Sequence, residues 1–111
     1  MNLLELMKVR EWLSVNLAHT GQATEAIAQG QEAIERARAL AADTAATPES
    51  WRELPRAYAS MAATFEALGK REESRNLYRA ATAEWEKMAS KGVSLPDSQD
   101  EIDAARKGAA K

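Results

Sequence analysis

The side chains of this sequence best spaced to do chemistry are three arginines on one predicted helix. Arg71, Arg75 and Arg79 follow one another at four-residue intervals, which places them in a row on one helical face. Guanidinium groups in such a row could hold a phosphate or an acidic peptide through charge-assisted hydrogen bonds. Glu72 and Glu73 lie beside the row, however, so the pattern favours an ordinary solvated face.

Groups suited to catalysis or metal binding are scarce in this sequence. Catalysis needs titratable side chains that converge, yet the chain has one histidine, no cysteine and no HExxH, GxSxG or phosphate-loop spacing. The histidine, His19, falls in the last turn of the first predicted helix, where a partial positive charge complements the carbonyl end. We therefore predict a protein that is not an enzyme and has no cofactor or metal site.

Composition and charge restrict the possible partners and the fold class. Fifteen basic and 17 acidic residues give a formal net charge of −2, so no positive field attracts nucleic acid or anionic lipid. No stretch approaches the roughly 20 apolar residues of a membrane span, and the absence of cysteine suits a reducing, cytoplasmic location. An aromatic content of 5% with abundant alanine favours helices over strands. We predict an all-α cytoplasmic protein that binds neither nucleic acid nor a membrane.

Apolar residues recur at three- and four-residue steps along most of the chain, which predicts two helical hairpins and a short cap helix. Hairpin one covers residues 2–42, hairpin two residues 48–91 and the cap helix residues 97–107. Gly21 and Gly69 are expected at the turns inside the two hairpins, because glycine readily adopts the positive φ that ends a helix.

Other local signals refine the ends of the predicted helices. Thr47 followed by Pro48 has the spacing of an N-cap and the first residue of a helix. Pro55 removes a backbone donor inside that helix, so a distorted first turn or a kink is expected between Trp51 and Pro55. Residues from Gly108 onward are expected to fray.

Small and bulky residues flank the two hinge glycines in the same order, and this order resembles that of the tetratricopeptide repeat (TPR) family. In the first copy the matching residues are Ser14, Leu17, Gly21, Ala26, Gly30 and Ala33. In the second copy they are Ala62, Phe65, Gly69, Ser74, Tyr78 and Ala81. The resemblance implies one domain, residues 1–111, in which two extended hairpins stack as a short right-handed α-solenoid closed by the cap helix.

The spacing of the two copies restricts the resemblance to repeats that are longer than the standard TPR unit. Gly21 and Gly69 lie farther apart than the roughly 34 residues of a standard TPR unit. The long period, together with the segments 51–54, 68–73 and 78–85, is similar to the helical-repeat regions that follow bacterial eukaryotic-like serine/threonine kinase domains. This chain has none of the catalytic motifs of a kinase.

The resemblance implies a non-catalytic interaction module that binds a protein or peptide partner on its concave face. The implied groove residues are Lys8, Glu11, Trp12, Val15, Tyr58, Ala59, Ala63 and Glu66, with Trp12 as the expected anchor. Some family members hold an acidic carboxyl-terminal tail between lysines and asparagines. Lys8 and Arg56 alone provide too few donors for that binding mode, so it is not expected here.

The first predicted helix has a second apolar strip, formed by Leu4, Trp12 and Val15. A terminal helix of an isolated solenoid should have a polar outer face, so something is expected to cover this strip. The candidates are a preceding repeat in a longer chain, a second copy in a homodimer, or a peptide partner. The alternative function is therefore an oligomerisation segment of a larger bacterial signalling protein that self-associates through its first helix.

Overall fold

Four α-helices make up the part of the chain that the computed structural model describes, residues 22–43, 47–93 and 98–111. They are α1 (Ala23–Ala42), α2 (Pro48–Ala67), α3 (Arg71–Ser90) and α4 (Gln99–Ala110). Within these ranges no strand occurs, which confirms the all-helical class for the described residues. None of these helices is both long enough and apolar enough to cross a membrane. The first predicted helix and its hinge, Gly21, lie outside the described residues.

The signals predicted to begin and end α2 are present in the structure. The hydroxyl oxygen of Thr47 accepts a hydrogen bond from the backbone N–H of Ser50 at 3.3 Å, as an N-cap residue should. At the other end Gly69 has φ +78°, and the N–H of Lys70 donates to the carbonyl of Phe65 at 2.8 Å. This is the glycine-terminated helix end that the sequence predicts.

The end of α3 repeats this arrangement. Gly92 has φ +79°, and the N–H of Val93 donates to the carbonyl of Met88 at 3.2 Å. Both positive-φ glycines therefore lie where the chain leaves a helix, because they tolerate a backbone conformation that strains other residues.

The predicted distortion near Pro55 does not interrupt α2. Residues 48–67 are helical throughout, although proline cannot donate to the carbonyl one turn earlier. The ring of Pro55 is almost completely removed from solvent, and this burial offsets part of the cost of the missing hydrogen bond.

Each helix packs chiefly against its neighbours in the chain, α1 against α2, α2 against α3, and α3 against α4. Two ion pairs show the relative direction of α2 and α4. Arg56 in the first half of α2 reaches Glu101 near the start of α4, while Glu66 near the end of α2 reaches Lys111 just beyond α4. Consequently α2 and α4 run in the same direction, and both pack against α3.

The core consists of two apolar clusters. The first lies between α1 and α2 and contains Ile34, Ala37, Leu54, Ala57 and Met61. The second lies between α3 and α4 and contains Ala81, Trp85, Met88, Ile102 and Ala105. Phe65 packs against the first cluster and Tyr78 against the second, as the repeat pattern predicts. The fully buried alanines let the helix backbones approach closely, and each large side chain contributes about 1.5–3 kcal/mol by its burial.

The last helix differs from the prediction at its carboxyl end. The sequence pattern predicts a cap helix over residues 97–107 with fraying from Gly108, but α4 continues to Ala110 and Gly108 is buried within it. A Cβ atom on Gly108 would overlap the ring of Tyr78. The glycine therefore allows α4 to cross close to α3, and this close packing extends the helix beyond the predicted end.

Candidate functional site

A groove lies along α3 between α2 and α4, and it contains two cavities. The first, which we call the apolar cavity, has a volume of about 230 Å³. Its lining residues are Pro55, Arg56, Ala59, Tyr78, Trp85, Glu101, Ala104 and Ala105. Alanines and aromatic rings form most of this surface, while the ion pair between Arg56 and Glu101 spans one end.

The second cavity lies at the other end of the groove, where the turn between α2 and α3 meets the end of α4. This basic cavity has a volume of about 420 Å³. Its lining residues are Glu66, Arg71, Ser74, Arg75, Tyr78, Gly108 and Lys111. Two arginines and a lysine thus face a single carboxylate, so the cavity carries a positive charge at neutral pH.

Tyr78 lines both cavities and therefore joins them. Its position is fixed from two sides, by the second core cluster and by Gly108, which lies directly against the ring. Burial raises the pKa of the Tyr78 hydroxyl above its ordinary value, and the nearby carboxylate of Glu66 raises that pKa further. At neutral pH the phenol is consequently protonated and can donate a hydrogen bond into the groove.

The apolar end of the groove is held by a three-residue charge network. The Nε of Arg56 donates to Oε2 of Glu101 at 2.8 Å, and its Nη1 donates to Oε1 of Glu53 at 3.3 Å. The side chain of Glu53 is 0% exposed, so one arginine joins a buried carboxylate of α2 to a partly exposed one of α4. The hydrogen bond to Glu101 is the main cause of the raised pKa of Arg56, which burial opposes.

Local packing also fixes the basic end. Ser74 is buried in the first turn of α3, and its hydroxyl donates to the carbonyl of Ala62 in α2 at 2.8 Å. Across the groove, Nζ of Lys111 lies 3.8 Å from Oε1 of Glu66. Both side chains of this second pair are at least half exposed, so the pair is weak and can be displaced by a ligand.

The predicted groove residues on α2 fall in different places. Ala59 lines the apolar cavity and Glu66 lines the basic cavity. Tyr58 instead packs against both core clusters, and its hydroxyl accepts a hydrogen bond from Arg38 of α1 at 2.9 Å. Ala63 is half-buried and does not line either cavity.

The remaining predicted residues belong to the part of the chain that the structure does not describe. They are Leu4, Lys8, Glu11, Trp12 and Val15. The predicted structural role of His19 lies outside the described residues as well.

The arginine row requires a correction. The sequence favours an ordinary solvated face for all three residues, and Arg79 is exposed as expected. Arg71 is exposed as well, but it lines the basic cavity together with Arg75, whose side chain is half-buried and whose Nε is buried. The helical spacing placed the arginines on one face, but only the position of α4 turns part of that face into the wall of a cavity.

Sequence reasoning also missed the contributions of α4 to the groove. Ala104, Gly108 and Lys111 line it, and none carries a motif of its own.

In comparisons with known proteins the chain matches no family model, and no curated protein or solved structure shows significant similarity to it.

Proposed function

We propose that this chain is a non-catalytic protein-interaction module that holds a segment of a partner protein or peptide in the groove between α2 and α4. The observation that carries this proposal is the pair of chemically different cavities that meet at Tyr78. One offers apolar surface and the other positive charge, so together they can distinguish the side chains of a bound segment.

The size of the apolar cavity, unlike that of the basic cavity, favours a polypeptide side chain over a small molecule. The apolar cavity, at about 230 Å³, is smaller than the roughly 300–1,000 Å³ that is usual for small-molecule sites. It suits a single apolar side chain. A second cavity at the other end of the same groove suits another side chain of the same segment, and the backbone between them would lie over Tyr78.

The proposal includes the architecture implied by the TPR resemblance. In it, the predicted first helix pairs with α1 to complete hairpin one, and the two hairpins and α4 form a short right-handed stack in the cytoplasm. The groove between α2 and α4 would then be part of the concave face. The hydrogen bond from Ser74 to Ala62 supports this arrangement, because it joins two positions where the repeat pattern requires small residues.

Selection from a random peptide display library tests the proposed function. The wild-type protein should enrich peptides whose binding is lost in Ala104→Trp, since that indole would fill the apolar cavity. Ala83→Trp is the matched control, because Ala83 is exposed on α3 and lines neither cavity. The proposal would be refuted if no enriched peptide bound more tightly to Ala83→Trp than to Ala104→Trp.

The alternative function, self-association through the first predicted helix, has a separate test. Light scattering would measure the mass of the wild-type protein and of a Trp12→Ser variant. A wild-type dimer that this substitution dissociates would support the alternative, whereas a monomeric wild-type protein would remove it.

A further inference from the structure

The basic cavity has an excess of positive charge that the described residues do not neutralise. Lys111 lies near Glu66, which leaves Arg71 and Arg75 as the uncompensated charges. Neither arginine makes an ion pair with any acidic side chain in the described ranges. Arginine groups held beside each other without a carboxylate are suited to an anionic ligand.

Arg75 gives the more specific indication. Its Nε is buried, and no hydrogen-bond acceptor among the described residues is within reach of it. A buried charged donor without a partner costs free energy, and a shift of the side chain that let Nε donate to a ligand oxygen in the cavity would remove that cost. Arg71, one helical turn earlier, lines the same cavity and would donate to the same group.

The helix geometry sets the distance between the two cavities. Along α4 and its last neighbour in the chain, the apolar cavity is lined by residues 101, 104 and 105 and the basic cavity by residues 108 and 111. At a rise of 1.5 Å per helical residue, their centres lie roughly 10 Å apart. A peptide extended in the polyproline II conformation advances about 3.1 Å per residue and returns a side chain to the same side every three residues, so roughly three residues span this distance.

We propose that the bound segment is extended and carries an acidic side chain about three residues from an apolar one. The acidic group, a carboxylate or a phosphate monoester, binds to Arg71 and Arg75, while the apolar side chain fills the cavity beside Trp85. This inference rests on the proposed function, because it specifies the chemistry of the segment that the groove holds.

Peptides selected by the wild-type protein supply the first measurement. They should be enriched in aspartate or glutamate about three positions from a leucine, isoleucine, valine, methionine or phenylalanine. Selection with Arg75→Gln or Arg71→Gln should lose the acidic preference and retain the apolar one. Arg79→Gln is the matched control, because Arg79 is exposed on the same helix and lines neither cavity, and it should select as the wild type does.

Affinities of one selected peptide provide the second measurement. Replacing its acidic residue with glutamine should weaken binding to the wild type about tenfold or more, as expected for the loss of a charged hydrogen bond. The same replacement should have little effect on binding to Arg75→Gln. A phosphoserine at that position distinguishes the two sources of the anion, since tighter binding than the acidic peptide identifies a phosphorylated partner and weaker binding an acidic one.

The failure of this inference can be distinguished from failure of the proposed function. Peptides that lose binding to Ala104→Trp but show no acidic preference, or that bind equally well with glutamine at the acidic position, would overturn this inference. They would leave the proposed function intact. An acidic preference that persists in both Arg71→Gln and Arg75→Gln would also overturn it. If no selected peptide depends on the groove, both proposals fail.

Discussion

Replacing Gly108 with alanine should destabilise this protein, although alanine is the better helix former. A Cβ atom at this position would lie 2.5 Å from Cγ and 2.7 Å from Cε2 of Tyr78, where ordinary carbon contacts are about 3.5–4.0 Å. Overpacking of this kind costs about 1–3 kcal/mol, and the gain in helix propensity returns at most about 1 kcal/mol. Because Cγ lies close to the backbone and cannot move freely, we expect a net loss of about 1–2 kcal/mol.

A double-mutant cycle with Tyr78→Ala isolates the contact. Without the ring, Gly108→Ala should become stabilising by up to about 1 kcal/mol, so the sign of its effect reverses between the two backgrounds. Urea unfolding followed by circular dichroism at 222 nm measures the free energies of all four proteins. An equal stabilisation by Gly108→Ala in both backgrounds would refute the close approach of α4 to Tyr78.

Two further predictions concern charges in the groove. Arg56→Gln should lower the free energy of unfolding by about 1.5–3 kcal/mol, because it removes a charged hydrogen-bond donor to the buried carboxylate of Glu53. Glu101→Gln should lower it by only about 1 kcal/mol, since this partner is 40% exposed; equal losses in urea titrations would contradict the assigned burial. In a variant whose other tyrosine is phenylalanine, absorbance at 295 nm should show Tyr78 titrating above pH 10, and Glu66→Gln should lower its pKa. The fold favours the neutral phenol, so the unfolded chain deprotonates at a lower pH than the folded protein. The free energy of unfolding should therefore fall as the pH rises above about 10. A Tyr78→Phe variant that loses as much stability over the same pH range would disprove this contribution.

The features predicted correctly from the sequence are those that depend on local interactions. The cap at Thr47 and the turn at Gly69 each require only a few consecutive residues, and their backbone conformations follow from the residue types. The apolar periodicity likewise identified the buried faces of the described helices, because a helix repeats its facing every three to four residues.

The features missed depend on contacts between distant segments. Arg56 and Glu101 are separated by 45 residues, so the sequence does not indicate that these two side chains pair. The sequence predicts that the helix frays from Gly108 onward, whereas in the structure Gly108 lies within the helix and packs closely against Tyr78. The basic cavity could not be predicted for the same reason, because it exists only once α4 is placed beside α3.

The most direct test of the proposed groove is an NMR titration of the ¹⁵N-labelled protein with a selected acidic peptide. The largest shifts should appear at the backbone amides of Ala59 and Ala104 and at the side-chain Nε–H of Arg75, which together mark both cavities. Amides on the exposed face of α3 near Ala83 should shift little. Shifts concentrated near Ala83 or along α1, with the Arg75 Nε–H resonance unchanged, would contradict the account.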